Sequence, residues 1–304
     1  MKKTVLITGA SGYLGRELIG QLLERGDAIV ASTSDPAKLM ETFCNNKALK
    51  CVTREELFSD GNHWDDVETV FHLAFARRFR PNSEIADSVQ YSRRVFEKVK
   101  ERRIPRLINV SSQSVYGNTE GDRDENMTVS PEMVYAMAKY ATEIVMESVF
   151  QNCTTTVTTS IRLDPIAQNQ NLLPRLVEQA FEKHEISLVG GGQIFSLLDI
   201  RDGAAAFLKL LDTPTEKWKP VYNVGWNNTI YTLTELADLV KQVAEVHGSG
   251  EIKITLKSED IRTYAGLNSA CFIADTGWQP RYGIEDIIDR CVNEYLNKSR
   301  SREK

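Results

Sequence analysis

Apolar residues in this chain come first as short runs and then at helical spacing. Residues 3–8, KTVLIT, make a run of strand length. Leu14, Leu18 and Leu22 then fall four apart, with Ile19 and Leu23 beside them, which predicts one buried helix face. Residues 27–32, DAIVAS, predict a second strand. Asp35 followed by Pro36 predicts a helix start, with the aspartate as N-cap and the proline at the first helical position. Residues 48–52 and 68–74 predict a third and a fourth strand. Ile85, Val89, Ser92, Phe96 and Val99 keep helical spacing, and RLINVS after Pro105 predicts a fifth strand. Residues 131–150, rich in Ala, Met and Glu, predict a helix, and CTTTVTTSIRL (153–163) a β-branched sixth strand.

This alternation predicts an α/β protein, a doubly wound parallel sheet covered by helices on both faces. Its crossovers should be right-handed, and ligand should bind at the carboxyl ends of the strands. After about residue 165 the rhythm loosens. VGGGQ and VGWNN read as turns, and Thr232 to Glu235 as a capping box opening a helix that carries Leu236, Val240 and Val243. The expected division is a dinucleotide-binding domain over 1–164 and a smaller C-terminal α/β substrate-binding lobe over 165–304, with some segments interleaved. The tail NKSRSREK is expected to fray.

Composition narrows the picture by exclusion. The 304 residues, 41% of them hydrophobic, suffice for a full core. A net charge of −5 with scattered Lys and Arg gives no basic excess for nucleic acid. No apolar stretch approaches the roughly 18 residues of a membrane span, and the first run is too short for a signal peptide. A cytoplasmic protein with no membrane partner is expected. Cys44, Cys51, Cys153, Cys271 and Cys291 are widely spaced with no C-x-x-C, which predicts reduced thiols. His63, His72, His184 and His247 form no ligand pattern, so no metal site is expected.

Two motifs carry chemistry. The turn after the first strand reads T-G-A-S-G-Y-L-G. Glycines there let backbone amides close on a pyrophosphate at the amino end of a helix. Gly9, Ser11, Gly12, Tyr13, Leu14 and Gly15 are the expected cofactor contacts. An acidic side chain at the end of the second strand would hold the ribose hydroxyls of NAD. This strand ends Ser32-Thr33-Ser34 instead, and helix capping accounts for Asp35. The three hydroxyls, with Lys38 or Arg16 for charge, suit a ribose phosphate, so NADP is favoured over NAD.

The second motif is VYAMAKYATE, which sets Tyr135 and Lys139 one above the other on a helix. A free phenol has a pKa of about 10. A lysine cation and an oxidised nicotinamide both favour the phenolate, so Tyr135 suits a general acid or base. Arg77, Arg78 and Arg80 read as a solvated charge run.

Gly9/Gly12/Gly15, His72-Leu73-Ala74, Ser112 ahead of Tyr116-Gly117, and Tyr135/Lys139 occur in one order. Together they resemble the extended short-chain dehydrogenase/reductase family, which contains nucleotide-sugar epimerases and dehydratases. The resemblance covers nearly the whole chain, since LLDIRDGAAAFL, VYNVG and DTGWQP are similar to its later segments. It implies a Rossmann domain in which Ser112 holds the substrate oxygen beside Tyr135 and Lys139 also grips the nicotinamide ribose. Leu73 and Ala74 would flank the cofactor, while His72 reads equally as a packed histidine. A homodimer through about 84–102 and 131–150 is implied as well, with Met133, Met137, Tyr140 and Ile144 as an apolar stripe.

The implied function is an NAD(P)-dependent oxidoreductase or epimerase acting on a hydroxyl or keto carbon of a sugar-like small-molecule substrate, with a nucleotide sugar left open. The alternative is a non-catalytic dinucleotide-sensing protein on the same fold. Three departures qualify the resemblance. Gln113 and Ser114 stand where the family's dehydratases carry Asp-Glu, so dehydration is not expected. Phe195 and Lys257 stand where nucleotide-sugar enzymes carry arginines that clamp a diphosphate. Leu163-Asp164-Pro165 lacks the asparagine that usually follows Arg162. The last two tell against a standard nucleotide-sugar site.

Overall fold

In β1 (Thr4–Thr8), Val5 and Ile7 enter one hydrophobic core and Leu6 the other. That alternation is the signature of a strand with both faces covered. The computed structural model describes residues 4–59, 61–169 and 171–302. Lys3, at the head of the expected first strand, lies outside them, as do Glu303 and Lys304 in the tail.

The chain continues through α1 (Tyr13–Arg25), β2 (Ala28–Ser32), α2 (Pro36–Thr42), β3 (Leu49–Val52), α3 (Arg54–Leu57), β4 (Val67–His72) and α4 (Asn82–Glu101). It then forms β5 (Arg106–Val110), α5 (Val134–Phe150) and β6 (Val157–Leu163). The six expected strands all form. The sixth begins at Val157 and not at Cys153, because its pairing with β5 starts at Arg106↔Val157 and β5 offers nothing earlier. Asp35 caps α2 by accepting the Lys38 N–H, with Pro36 at the helix start.

Beyond residue 164 the chain leaves this layer and comes back. It makes α6 (Leu172–Lys183), β7 (Glu185–Val189), β8 (Ile194–Phe195), α7 (Ile200–Asp212), β9 (Val221–Val224) and β10 (Tyr231–Thr232). The last elements are α8 (Leu233–Val246), β11 (Lys253–Lys257), α9 (Ala270–Thr276) and α10 (Ile284–Arg302). β9 joins the main sheet, whose order is β3-β2-β1-β4-β5-β6-β9 with every pairing parallel. α7 packs on α1, and Phe207, Phe272 and Trp278 fill the core on that face. α4 and α5 cover the other face with Val95, Phe96, Val99, Met146 and Phe150.

A separate core joins α6, α8 and α10 through Leu173, Leu176, Leu236, Val240 and Ile288. The capping box at Thr232 and Glu235 opens α8. Two small sheets complete this lobe, β7 with β11 in parallel and β8 with β10 antiparallel. The tail does not fray where expected: α10 runs to Arg302, held by Tyr295 stacked on Phe181 and by Leu296 against the lobe core. Among the described residues no helix is long and apolar enough to cross a membrane.

Candidate active site

The glycine turn is fixed by close packing before any ligand is considered. Gly9 takes φ +70°, and a Cβ there would sit 2.7 Å from the Ala74 amide nitrogen. A Cβ on Gly15 would sit 2.7 Å from the carbonyl oxygens of both Gly9 and Ala10. Leu73 and Ala74 therefore flank the turn, tied to β1 by the Leu73 N–H on the Thr8 carbonyl and the Ala74 N–H on the Thr8 hydroxyl. Gly12 is the N-cap of α1 and no side chain caps it. Backbone amides at such an end suit an anion, so the turn fits the pyrophosphate of a dinucleotide. Tyr13 is exposed there, with the Arg16 and Arg77 guanidiniums 5.2 and 5.6 Å from its ring centre. Arg16 also donates to the Ser11 carbonyl.

At the end of β2, Ser32 and Thr33 are buried and Ser34 is exposed. Ser32 lies close enough to the Tyr91 phenol to draw its pKa down, and the Thr33 hydroxyl accepts the Asp35 N–H. Of the three expected hydroxyls, Ser34 alone faces solvent. Asp35 spends one carboxylate oxygen on its cap.

The residues expected to handle the proton lie on α5. Tyr135, Lys139 and Glu143 follow one another at intervals of four along the helix face that meets the ends of β5 and β6. Lys139 is buried and its ammonium donates to the Val110 carbonyl, the last of β5, at 2.7 Å. It lies 4.0 Å from the Phe75 ring centre and 5.9 Å from that of Tyr135. Glu143 accepts from Ser111 and holds Arg162 in a buried ion pair of 2.8 Å. Arg162 donates in turn to the Tyr116 phenol, which donates to Asn223. Gly117 closes this turn at φ +69°, where a Cβ would fall 2.1 Å from the Ser130 carbonyl oxygen. These contacts staple α5 to the strand that delivers Ser112.

Ser112 caps the short 3₁₀ turn Gln113–Tyr116 by accepting the Ser114 N–H, and it lies close enough to Tyr135 to draw the phenol's pKa down. The structure thus brings Ser112, Tyr135 and Lys139 together. It does not lower the phenol's pKa as the sequence suggested. Burial pushes Tyr135 up to about 12, while Ser112 and the Arg78 charge pull the other way. Burial acts on the lysine too, bringing Lys139 down to about 7 against the attraction of Glu143. A half-neutral amine is a weak source of field for its neighbour.

His72 is a packed residue. Thr8 and Ser92 occupy its two ring nitrogens at 2.8 and 2.7 Å, and burial drives its pKa down to about 3. Arg80 pairs with Glu84 on the surface, as a solvated charge should. Arg78 differs, because its charge reaches Tyr135. Sequence reasoning missed Glu143 and Arg162. Glu143 was open to discovery, since it continues the Tyr135–Lys139 series by one more turn.

Toward the lobe, Arg123 donates to the carbonyls of Gly117, Thr119 and Tyr264 and reaches Gln113 at 3.5 Å. Phe195 lies in β8 opposite Tyr231, and Lys257 is exposed and paired with Glu259 at 2.7 Å. Asp164 is buried beside Ser196, 2.6 Å away, and burial pushes it up to about 7. Among the described residues no group of His, Cys, Asp or Glu could hold a metal ion.

Comparison with known proteins gives relatives along the whole chain. The low-salt glycan biosynthesis protein Agl12 of Haloferax volcanii is 22% identical, over 96% of this chain and 98% of that one. The dTDP-4-dehydro-6-deoxyglucose reductase of Escherichia coli is 24% identical, over 96% and 97%. The Bacillus cereus UDP-glucuronic acid 4-epimerase, solved with UDP-glucuronic acid and NAD, shares the fold with a TM-score of 0.81 at 17% identity, over 97% and 99%. The family model described as NAD dependent epimerase/dehydratase family matches residues 5–225. With the glycine turn, the seven-stranded parallel sheet and that match together, the chain belongs to the NAD dependent epimerase/dehydratase family, enzymes of the extended short-chain dehydrogenase/reductase type.

Proposed function

We propose that this enzyme is an NADP-dependent reductase or epimerase acting at a hydroxyl or keto carbon of a sugar in nucleotide linkage. The observation that carries the reading is the meeting of Ser112 and Tyr135, close enough for the serine to act on the phenol, with Lys139 one helical turn away and the glycine turn at the same end of the sheet. When bound, an oxidised nicotinamide supplies the ring that accepts hydride and a second positive charge beside the phenol. Ser112 holds the substrate oxygen. Tyr135 gives that oxygen a proton as a carbonyl is reduced and takes it back as an alcohol is oxidised. Lys139 and Glu143 fix the phenol's position through Val110, Ser111 and Arg162.

The sugar class rests on the relatives, whose names include a deoxysugar reductase and a UDP-sugar epimerase. Phe195 and Lys257 favour a different grip on the nucleotide from two clamping arginines. Gln113 and Ser114 favour oxidoreduction over dehydration. NADP is favoured because β2 ends without a carboxylate, Ser34 is exposed there and Asp35 is engaged in capping. A homodimer through α4 and α5 fits the exposed Met133, Met137 and Ile144, and a concentration-independent monomer mass in light scattering would refute it.

The test is Tyr135→Phe. Turnover should fall about 100- to 10,000-fold while dinucleotide affinity stays within about twofold. Unchanged turnover would sink the assignment.

A further inference from the structure

The end of β3 holds an arginine that stands apart from the Ser112, Tyr135 and Lys139 group. Arg54 opens α3 directly after the N-cap Thr53. β3 runs beside β2 with Ser32 opposite Val52, and the Thr33 N–H donates to the Val52 carbonyl. Arg54 thus stands next to the Ser32–Thr33–Ser34 end of β2. In this fold that corner is where the adenosine half of a dinucleotide lies.

Three features show that Arg54 is held there and left available. Its guanidinium lies 3.7 Å from the ring centre of the buried Tyr91. Arg54 and Ser32 both lie close enough to the Tyr91 phenol to draw its pKa down, which sets Tyr91 between the end of β3 and the end of β2. Among the described residues no carboxylate forms an ion pair with it. The nearest candidate, Glu56, is committed to the Thr53 amide in the capping box. A guanidinium resting on an aromatic face keeps N–H groups free along its edge, in the fork that matches two oxygens of one phosphate. The exposed Ser34 lies at the same strand end, and the exposed Lys38 follows in the first turn of α2.

The other cations near the cleft are otherwise placed. Arg16 is bonded to the Ser11 carbonyl on the pyrophosphate turn, and Arg94 lies over Phe58.

We propose that Arg54, laid over Tyr91 between the ends of β2 and β3, recognises a phosphate monoester on the ribose of the adenosine and so sets the cofactor preference. This rests on the NADP reading and assigns it a residue. Tyr91 acts as the platform, with Ser32 beside its phenol.

The experiment is calorimetric titration of the full chain with adenosine 2′,5′-bisphosphate and with 5′-AMP, which differ only in the phosphate in question. The wild type should prefer the bisphosphate by about 10- to 100-fold. Arg54→Ala should abolish that ratio and leave 5′-AMP affinity within about twofold, and Arg54→Lys should keep part of it, because a point charge lacks the fork. If the wild type discriminates and Arg54→Ala discriminates as well, the role of Arg54 is overturned and the NADP reading stands. If the wild type binds both alike, the NADP reading falls and takes this inference with it.

Discussion

Glu143 and Asp164 are both buried carboxylates near the carboxyl ends of the sheet, and their surroundings treat them in opposite ways. Glu143 meets the guanidinium of Arg162 at 2.8 Å and receives the Ser111 hydroxyl. Asp164 receives the Ser196 hydroxyl on one oxygen, and its other oxygen has no hydrogen-bond partner. Burial pushes Asp164 up to about 7, with only Ser196, the Trp226 backbone and the Arg123 charge opposing it. A charge stays stable in the interior when a cation is forked onto it. A hydroxyl and a distant guanidinium are too little, and the group then titrates near neutrality. The first carboxylate is architecture for the catalytic helix, and the second is a pH-dependent load on the fold.

The largest expected effect breaks the first of the two. Glu143→Ala leaves Arg162 buried without its partner and should cost about 3–5 kcal/mol in urea unfolding. It should also slow turnover, because Ser111 and α5 lose their shared anchor. Replacing the pair together, Glu143→Leu with Arg162→Met, should cost less than the single change, since no buried charge remains. A double variant less stable than Glu143→Ala would mean that the pair is not an isolated electrostatic unit.

The same contrast explains what the sequence could and could not reveal. Strands of the first half were legible because apolar runs and helical spacings are local, and Tyr135 with Lys139 because four residues is one turn. The Arg162–Glu143 pair spans 19 positions and the Arg162–Tyr116 bond 46, so no periodicity announces either. The return of β9 to the sheet was equally hidden, because VYNVG is too short to say which sheet it joins. Burial of the lysine was the costliest omission. Spacing alone suggested an ammonium that lowers its neighbour's pKa, whereas the interior lowers the ammonium's own.

The second prediction concerns Asp164. Its folded pKa of about 7 lies above its ordinary 3.8, so folding favours the protonated form. That contribution is complete below about pH 3.8 and is lost as the pH rises through about 7. Asp164→Asn should therefore remove this downward contribution to stability between pH 4 and 7, a change relative to wild type of roughly 2–4 kcal/mol at about 1.4 per pH unit. Lys139 acts in a separate window, because its depressed pKa makes stability rise between about 7 and 10.5. Buried His72, with its pKa at about 3 against an ordinary 6.5, contributes the opposite slope in that window, so the aspartate's share is the difference between thermal melts of variant and wild type across pH 4–7; a variant with the wild-type slope there would remove Asp164 as the titrating group.

A third carboxylate sets the lower end of the scale. Asp35 is exposed, and its one structural duty is to accept the Lys38 N–H at 3.1 Å at the start of α2. Water already solvates such a group, so removing it forfeits a cap and leaves no buried charge behind. Asp35→Ala should cost about 1 kcal/mol in thermal or urea unfolding, the ordinary worth of an N-cap. The ratio of NADP to NAD affinity should stay within about twofold, because a side chain engaged with the backbone has little hold on a ribose. A large loss of NAD binding in this variant would identify Asp35 as a ribose ligand, and the preference for a phosphorylated cofactor would then lose its first support.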